Sequence, residues 1–213
     1  MDRITATKTL KMANDCQRLF PMSELVKNAI AKTDREAFVP TGFRQNAYKL
    51  DALPLASAQW ISSPLTVAKM TEYLIPRGAD RVLEVGCGSG YQAAVLSHLF
   101  RGVFTIERIE KLMLEAKATF RNLNIYNVHT RTDDGQNGWI KYAPYDRILF
   151  SATAKEIPEK LFEQLADGGI LLAPVLKGKK QIITRYTKNN NTIDEEELEE
   201  CDFVPILNGI KKH

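Results

Sequence analysis

The segment LEVGCGSGY, residues 83–91, combines a carboxylate with three glycines between an apolar run and a helix-like run. Glycines in such a loop allow the backbone to turn sharply and to approach a ligand closely. The three glycines of this segment are Gly86, Gly88 and Gly90. Glu84 lies two residues before the first of them, where its charge would repel a pyrophosphate and suit a cationic ligand. Tyr91 replaces the third glycine of a dinucleotide fingerprint, and the lysine and Ser/Thr of a P-loop are absent, so the loop is not that of a diphosphate site.

Two further acidic positions follow the next strand-like runs of the chain. Glu107 ends the run GVFTIE, and Asp134 with Gly135 follows a third run. Acidic side chains at the C-terminal ends of parallel strands line the crevice in which such sheets bind ligands. An acid that ends the second strand typically holds ribose hydroxyls, and a later acid could accept a hydrogen bond from an adenine amino group. The pattern predicts a ligand with an adenosine, a positive charge and no phosphate, and S-adenosylmethionine fits this description.

Structural interpretations of these acids stay open beside the functional one. Glu107 is followed by Arg108, with which it could form a surface ion pair. Asp133 and Asp134 could form an Asx-turn before Gly135, and Asp134 is the better ligand candidate of the two.

A second candidate site precedes a helix start in the segment QWISSPLTVAKM, residues 59–70. Ser63 can cap the free amides of a helix, and Pro64 fits the first helical turn. An apolar repeat at helical spacing supports this helix. Its members are Val67, Met70 and Leu74. Ser62 lies just outside the cap without a structural role, which makes it a candidate for function.

The order of the elements predicts the fold class. Residues 1–50 indicate helices, with a second helix near Ser23 and one apolar face formed by Met12, Cys16, Leu19 and Phe20. Beyond residue 80, apolar strands alternate with helices, which predicts a parallel sheet covered on both faces. The strands are expected at 81–85, 102–107, within 124–130, at 145–152 and at 169–176, with a helix at 157–165. We expect one doubly wound, Rossmann-like α/β domain, with an N-terminal helical appendage at 1–50 and the core with a C-terminal segment at 51–213.

The amino-acid composition indicates in which cellular compartment the protein works and which classes of partner it binds. The chain has 213 residues, a formal net charge of +3, three histidines and three cysteines without a CxxC pair. This favours a reducing compartment and argues against a structural or catalytic metal. The N-terminus lacks a signal-peptide core and no apolar run reaches membrane-spanning length, so we expect a cytoplasmic protein that binds no membrane. The small basic surplus and the acidic run 194–200 are interpreted as solvated surface charge, which argues against a nucleic-acid partner.

Sequence motifs that the chain lacks limit the chemical groups that such a protein could methylate. Enzymes that methylate base or amide nitrogens commonly carry an Asn/Asp-Pro-Pro-aromatic loop after the fourth strand, where this chain reads FSATAKEIP (150–158). Cytosine-C5 enzymes need a Pro-Cys nucleophile, and no cysteine here follows a proline. Cys87 is interpreted as a small residue that fills its loop. A carboxylate acceptor is already ionised at neutral pH and needs no general base, which agrees with the shortage of histidine.

Several motifs together resemble the protein-L-isoaspartate O-methyltransferase family over nearly the full chain. The matching segments are REAFVP (35–40), NAY (46–48), QWISSP (59–64), VLEVGCGSGYQAAVL (82–96), IERI (106–109), DDGQNGW (133–139), IPEKLFEQLADGGILLAPV (157–175) and FVPI (203–206). The run that starts at Val82, together with the loop before it and the ending after it, is highly specific to this family.

The resemblance implies methyl transfer from S-adenosylmethionine to the free α-carboxylate of isoaspartyl residues in damaged proteins. The ester then collapses to a succinimide, which starts the repair. The residues assigned to the cofactor are Gln59, Ile61, Glu84, Gly86, Cys87, Gly88, Gly90, Glu107, Arg108, Asp134 and Gly135. Ser62 matches the active-site serine, and Phe203, Val204 and Pro205 match the segment beside the bound peptide. We expect damaged proteins and peptides as partners and a monomeric enzyme.

The chain departs from the family pattern in one loop. Where the family usually has Gly-x-Gly-Gln-Thr, residues 56–60 read ASAQW, which predicts a stiffer and bulkier loop. Peptide preference and rate depend on this loop more than cofactor binding does. Two other functions stay open: methylation of a small molecule or nucleic acid on the same fold, and cofactor binding without catalysis.

Overall fold

The helices and strands are those of a computed structural model that describes residues 1–212 of the chain. The helices are α1 (Arg3–Leu19), α2 (Glu24–Lys32), α3 (Pro64–Tyr73), α4 (Tyr91–Leu96), α5 (Glu110–Asn122) and α6 (Glu159–Glu163). The strands are β1 (Leu53–Leu55), β2 (Gln59–Ile61), β3 (Arg81–Val85), β4 (Gly102–Glu107), β5 (Val128–Thr132), β6 (Tyr145–Phe150), β7 (Leu165–Lys177), β8 (Lys180–Asn189) and β9 (Thr192–Cys201).

Seven of the strands form one sheet in the order β5-β4-β3-β6-β7-β8-β9. The first five in this order pair in parallel, and the order reverses at β3, so the doubly wound class is confirmed. The sheet is nevertheless mixed, because β8 and β9 continue it in antiparallel pairing. The reversal brings the carboxyl ends of β3, β4 and β6 to one crevice, where ligands bind in sheets of this type.

The acidic run 194–200 is part of a strand, β9, and its interpretation as plain surface charge was incomplete. Three cations of β7 and β8 lie beside its carboxylates in the ion pairs Lys177–Glu195, Lys180–Glu200 and Arg185–Glu196. Glutamate has a low intrinsic preference for strands. The cross-strand charge pairs and the backbone hydrogen bonds to β8 stabilise the strand, which the local sequence alone does not favour.

The helix expected at 157–165 is also shorter than the pattern suggests. It is reduced to a single turn, α6, and Leu165 already pairs with Tyr145 in the sheet. Both of these side chains are buried in the same apolar cluster. Burial in the sheet therefore outweighs the local helical pattern at this point.

The N-terminal helices pack into the core instead of standing apart from it. Met12 and Cys16 of α1 lie in one apolar cluster with residues of α3, α4 and α5. Leu19 does not join this face and is 65% exposed, because α1 ends there, whereas Phe20 packs edge-on against Tyr73. Ser23 caps α2 as predicted. The division of the chain at residue 50 stays a proposal.

The part of the chain that the structure describes was also searched for membrane spans and metal ligands. No helix within it combines the length and apolar composition required to cross a membrane. No group of three or more potential metal ligands comes together in residues 1–212. The three cysteines are free, with Cys16 and Cys87 buried and Cys201 partly so.

Candidate active site

The start of α3 is built as the sequence predicts. The Ser63 hydroxyl accepts a hydrogen bond from the Thr66 N–H at 3.0 Å, and Pro64 occupies the first turn. Ser62 takes no part in this cap and lines the cavity beside the glycine loop. The helix start therefore presents a serine and a partly positive N-terminus to one side of the cavity.

The glycine loop after β3 forms the opposite wall. Gly86 has φ +97°, and its N–H donates to the Ile106 carbonyl at 2.9 Å, which ties the loop to β4. Gly90 has φ +90°, and a Cβ there would lie 2.7 Å from the Phe120 ring. Gly90 does not line the cavity. A close contact with α5 thus accounts for this glycine, and its assignment to the cofactor is not supported by its position.

The cavity encloses roughly 870 Å³ of space, its open mouth included. It brings together candidates from five separate parts of the sequence. The candidates that line it are Gln59, Ile61, Ser62, Glu84, Gly86, Cys87, Gly88, Glu107, Arg108, Gly135, Val204 and Pro205. Gly90, Asp134 and Phe203 lie outside this lining.

Glu84 is fully buried at the end of β3. Its carboxylate accepts hydrogen bonds from the hydroxyls of Thr105 and Ser151. Burial raises the pKa of Glu84 to about 8, against an ordinary value of 4.5. No lysine or arginine pairs with it within the described chain. With this pKa Glu84 is mostly protonated at neutral pH while the cavity is empty, and a cation bound beside it would favour the ionised form.

Glu107 is a second buried acid, 6% exposed, at the end of β4. Its carboxylate accepts from the N–H groups of Gly88 and Ile109, each at 2.9 Å. Burial is the largest influence on the Glu107 pKa and raises it. The surface ion pair considered for Glu107 and Arg108 is absent, since Arg108 donates instead to the backbone carbonyls of Asn208 and Gly209.

Asp134 forms the Asx-turn that the sequence left open as an alternative. Its carboxylate accepts from the Gln136 N–H at 3.0 Å and from the Gly209 N–H at 2.8 Å. Gly135 does line the cavity, and a Cβ there would lie 2.5 Å from Val85. A role for Asp134 at the cofactor stays a prediction, whereas its link to the C-terminal segment is visible.

The C-terminal segment 203–207 runs along the cavity and is fixed at the end of β6. The Val204 carbonyl accepts from the Thr153 N–H, and the Ile206 N–H donates to the Thr153 carbonyl, both at 2.8 Å. The Gln181 side chain of β8 accepts from the Phe203 N–H at 2.7 Å and donates to the Phe203 carbonyl at 3.1 Å. Phe203 packs against the core, so it anchors the segment instead of lining the cavity.

The hairpin 53–61, formed by β1 and β2, supplies the remaining wall. Its turn holds Ser57 and Ala58 at φ +59° and +57°. This left-handed conformation costs a residue with a Cβ roughly 1 kcal/mol relative to glycine. The second glycine usual in this loop, at position 58, therefore has a conformational reason, and this chain tolerates its loss at a cost. Ala56, which replaces the first glycine, has no positive φ. Trp60 lines the cavity and is 55% exposed.

Several lining residues were missed in the sequence. They are Val67, Ser89, Tyr91, Gln92, Ile106, Ile109, Ser151, Ala152, Ile206 and Leu207. Ser151 follows directly on β6, so the strand-end argument applied to Glu107 would also have found it. Ser89 and Tyr91 lie within the glycine segment itself, so their position beside predicted residues would have found them. Val67 and Ala152 carry no comparable signal, because their place at the cavity depends on the packing of distant segments.

Comparison with known proteins shows to which family the chain belongs. The family model described as Protein-L-isoaspartate(D-aspartate) O-methyltransferase matches residues 8–211. The chain belongs to this family. A relative from Helicobacter pylori strain G27, a protein-L-isoaspartate O-methyltransferase, is 50% identical over 98% of this chain and 100% of its own length.

Solved structures agree with this assignment. One protein-L-isoaspartate O-methyltransferase superimposes with a TM-score of 0.83 at 27% identity, covering 92% of this chain and 64% of the solved one. A second, from Plasmodium falciparum, also has a TM-score of 0.83, at 21% identity, and covers 93% of this chain and 98% of its own. That structure was determined in complex with S-adenosyl-L-homocysteine. The Rossmann-like methyltransferase fold predicted from the sequence is confirmed.

Proposed function

We propose that the chain transfers the methyl group of S-adenosylmethionine to the free α-carboxylate of L-isoaspartyl residues in damaged proteins. The resulting ester collapses to a succinimide, which initiates repair. The observation that carries this proposal is one cavity that joins two unpaired buried acids to the capped helix start beside Ser62. Membership of the family supports the same activity.

The cavity fits the proposed cofactor chemically. Glu84 and Glu107 face it as buried acids without a cationic partner, and a bound cation would favour the ionised form of Glu84. Gly86 and Gly88 leave room for close approach of a ligand. Glu84, with the glycine loop, would hold the cationic methionine part, and Glu107 the ribose hydroxyls. S-adenosylmethionine supplies a methyl group that its sulfonium has already activated.

The start of α3 and Ser62 suit the acceptor. The N-terminus of this ten-residue helix carries a partial positive charge and attracts a carboxylate. The Ser62 hydroxyl orients one carboxylate oxygen towards the methyl group, which is a positioning effect. The acceptor is ionised at neutral pH, so Ser62 acts neither as nucleophile nor as general base.

The segment 203–207 offers one edge to the peptide main chain. The Val204 carbonyl and the Ile206 N–H are hydrogen-bonded to the Thr153 backbone. The N–H and the carbonyl of Phe203 are hydrogen-bonded to the Gln181 side chain. The Pro205 carbonyl and the Leu207 N–H make no backbone hydrogen bond within the described chain. We assign these two groups to the main chain of an extended substrate, in the manner of strand addition.

The decisive experiment uses labelled S-adenosylmethionine and a matched pair of peptides, one with isoaspartate and one with aspartate at the same position. Methylation of the isoaspartyl peptide alone is expected. Equal labelling of both peptides would contradict the proposal. Labelling of neither, with intact cofactor binding, would point to a different acceptor or to loss of catalysis.

The finer partner assignments are proposals of the same kind. Damaged proteins that contain isoaspartyl residues are the proposed substrates, without nucleic acid or membrane. The charged side chains of β9 pair with neighbouring strands and form no basic stripe, which supports the exclusion of nucleic acid. The monomeric state and the cytoplasmic location stay predictions.

A further inference from the structure

Arg35 is a fully buried cation at the base of the hairpin 53–61. Its Nη1 donates to the carbonyls of Ala47 at 2.8 Å and Lys49 at 3.3 Å. Its Nη2 donates to the carbonyls of Asp51 at 2.9 Å and Ser62 at 3.1 Å. None of the ion pairs in residues 1–212 includes Arg35, so backbone carbonyls are its only strong partners there.

The four carbonyls lie on both sides of the hairpin. Three of them, from Ala47 to Asp51, belong to the chain that enters β1. The fourth, of Ser62, belongs to the first residue after β2. One planar guanidinium therefore ties the entry and the exit of the hairpin together, which a single ammonium cannot do with the same geometry.

The surroundings hold the guanidinium itself in place. The Tyr91 ring, which lines the cavity, lies with its centroid 5.7 Å from the guanidinium carbon. Burial lowers the pKa of Arg35 from its ordinary value, so the charge is held at an energetic cost. The four carbonyl dipoles and the aromatic face offset that cost.

We propose that Arg35 is a positioning residue for methyl transfer, which fixes the Ser62 backbone so that its hydroxyl faces the cavity. This inference rests on the proposed function. Ser62 precedes the rigid cap of α3 and follows a short hairpin that makes no pairing with the main sheet. The hydrogen bond from Arg35 is the only one that the Ser62 carbonyl receives in the described chain.

Arg147 provides a matched control. It is also buried, at 9% exposure, and burial lowers its pKa as well. It donates only to backbone carbonyls, those of Ile75 at 2.9 Å and Asp146 at 2.7 Å. Arg147 does not line the cavity and contacts neither the hairpin nor Ser62. Substitution of the two arginines thus removes similar bonds in different places.

The test compares Arg35→Lys with Arg147→Lys. Cofactor-binding sites are counted by calorimetric titration with S-adenosylmethionine, and kcat for an isoaspartyl peptide is expressed per binding site. For Arg35→Lys we expect kcat about 10–100-fold lower with cofactor Kd within about threefold, the scale of a misplaced reacting group. For Arg147→Lys both values should stay within about twofold of the parent, as for a substitution away from the site.

Two outcomes of the kinetic test would overturn the inference. One is an Arg35→Lys protein with unchanged kcat per binding site, and the other is a protein without any cofactor-binding sites, since Arg35 would then hold the whole fold. A second readout does not need catalysis: the fluorescence anisotropy of Trp60 in a Trp139→Phe background. Anisotropy should fall in Arg35→Lys and not in Arg147→Lys, and no change in either would also overturn it. A parent protein inactive on the peptide would contradict the proposed function alone, and Trp60 would still decide the role of Arg35.

Discussion

The two sides of the cavity are held by different means. On the cofactor side, Glu84 and Glu107 end β3 and β4, and the register of the parallel sheet fixes where they lie. On the peptide side, the hairpin 53–61 and the segment 203–207 lie outside the parallel ladder and depend on individual side chains, Arg35 for the first and Gln181 for the second. The sheet thus makes one side robust, whereas a single substitution can displace the other.

The strongest test of this difference removes the segment 203–213. Peptide methylation should fall below detection, because Val204 and Pro205 of the cavity wall are lost. S-adenosylmethionine should still bind, weakened by less than about tenfold, since Glu84 and Glu107 stay in the sheet. Calorimetry and a peptide assay check both values. A shortened chain that folds and methylates isoaspartyl peptides at the full rate would show that the segment has no part in the reaction.

Ser62→Ala tests the contribution of a single hydroxyl group to the peptide side of the cavity. We expect kcat on isoaspartyl peptide to fall about 10–100-fold through lost positioning, with cofactor affinity within about twofold of the parent. Ser63→Ala is the informative neighbour, because it removes the helix cap and should cost about 1 kcal/mol of unfolding free energy. Parent-like turnover in Ser62→Ala would mean that backbone amides alone hold the acceptor.

Glu107→Ala addresses the cofactor side. It should weaken S-adenosylmethionine binding by about 1–3 kcal/mol, the scale of hydrogen bonds to a charged group, with the fold intact. Asp133→Ala is a suitable control, since Asp133 is an acid that pairs with Arg131 and does not line the cavity. Unchanged affinity in calorimetry would remove Glu107 from the cofactor site.

Gln181→Leu separates the anchor of the segment from the segment itself. The side chain keeps a similar shape but loses its hydrogen bonds to Phe203 and to the Thr153 hydroxyl. We expect KM for the peptide to rise about 3–10-fold, the value of one or two net hydrogen bonds, and cofactor Kd to stay unchanged. A change in cofactor Kd that equals the change in KM would show that the two sides are not separate.

Glu84→Gln tests the cofactor side through stability, with no measurement of the reaction. The pKa of Glu84 in the folded chain, about 8, exceeds its ordinary value of 4.5, so the folded state keeps a proton that the unfolded state releases between these values. The unfolding free energy of the parent therefore falls as pH rises through this window. Without cofactor, Glu84→Gln should melt close to the parent at pH 5 and about 10 °C above it at pH 8. Roughly 3–4 kcal/mol of parent stability is lost between these pH values, and each kcal/mol is worth about 2–4 °C in a chain of this size. Parallel melting curves at both pH values would contradict the raised pKa.

The sequence was most informative where chemistry and local structure coincide. The glycine loop, the Ser63 cap and the acid at the end of β4 each follow from a short segment, because turn geometry and strand ends have local signatures. The fold class also followed, since alternating apolar strands and helices permit few arrangements.

The peptide side was less predictable for a physical reason. Arg35 meets Ser62 across 27 positions of chain, and Gln181 meets Phe203 across 22, so neither contact has a local signal. The strand β9 was missed because its glutamates need the cations of β7 and β8 to pair with. Asp134 was assigned by its position after β5, yet its carboxylate turns to Gln136 and Gly209.

The acidic strand β9 has a further consequence for a protein that handles damaged chains. It is the last strand of the sheet, and its outer edge carries unpaired backbone groups that can act as a template for the addition of another strand. Partly unfolded chains are prone to such strand addition. The charged side chains along β9 and its neighbours disfavour pairing of an apolar strand at this open edge, so unfolded chains can meet the enzyme at its cavity without growing onto its sheet.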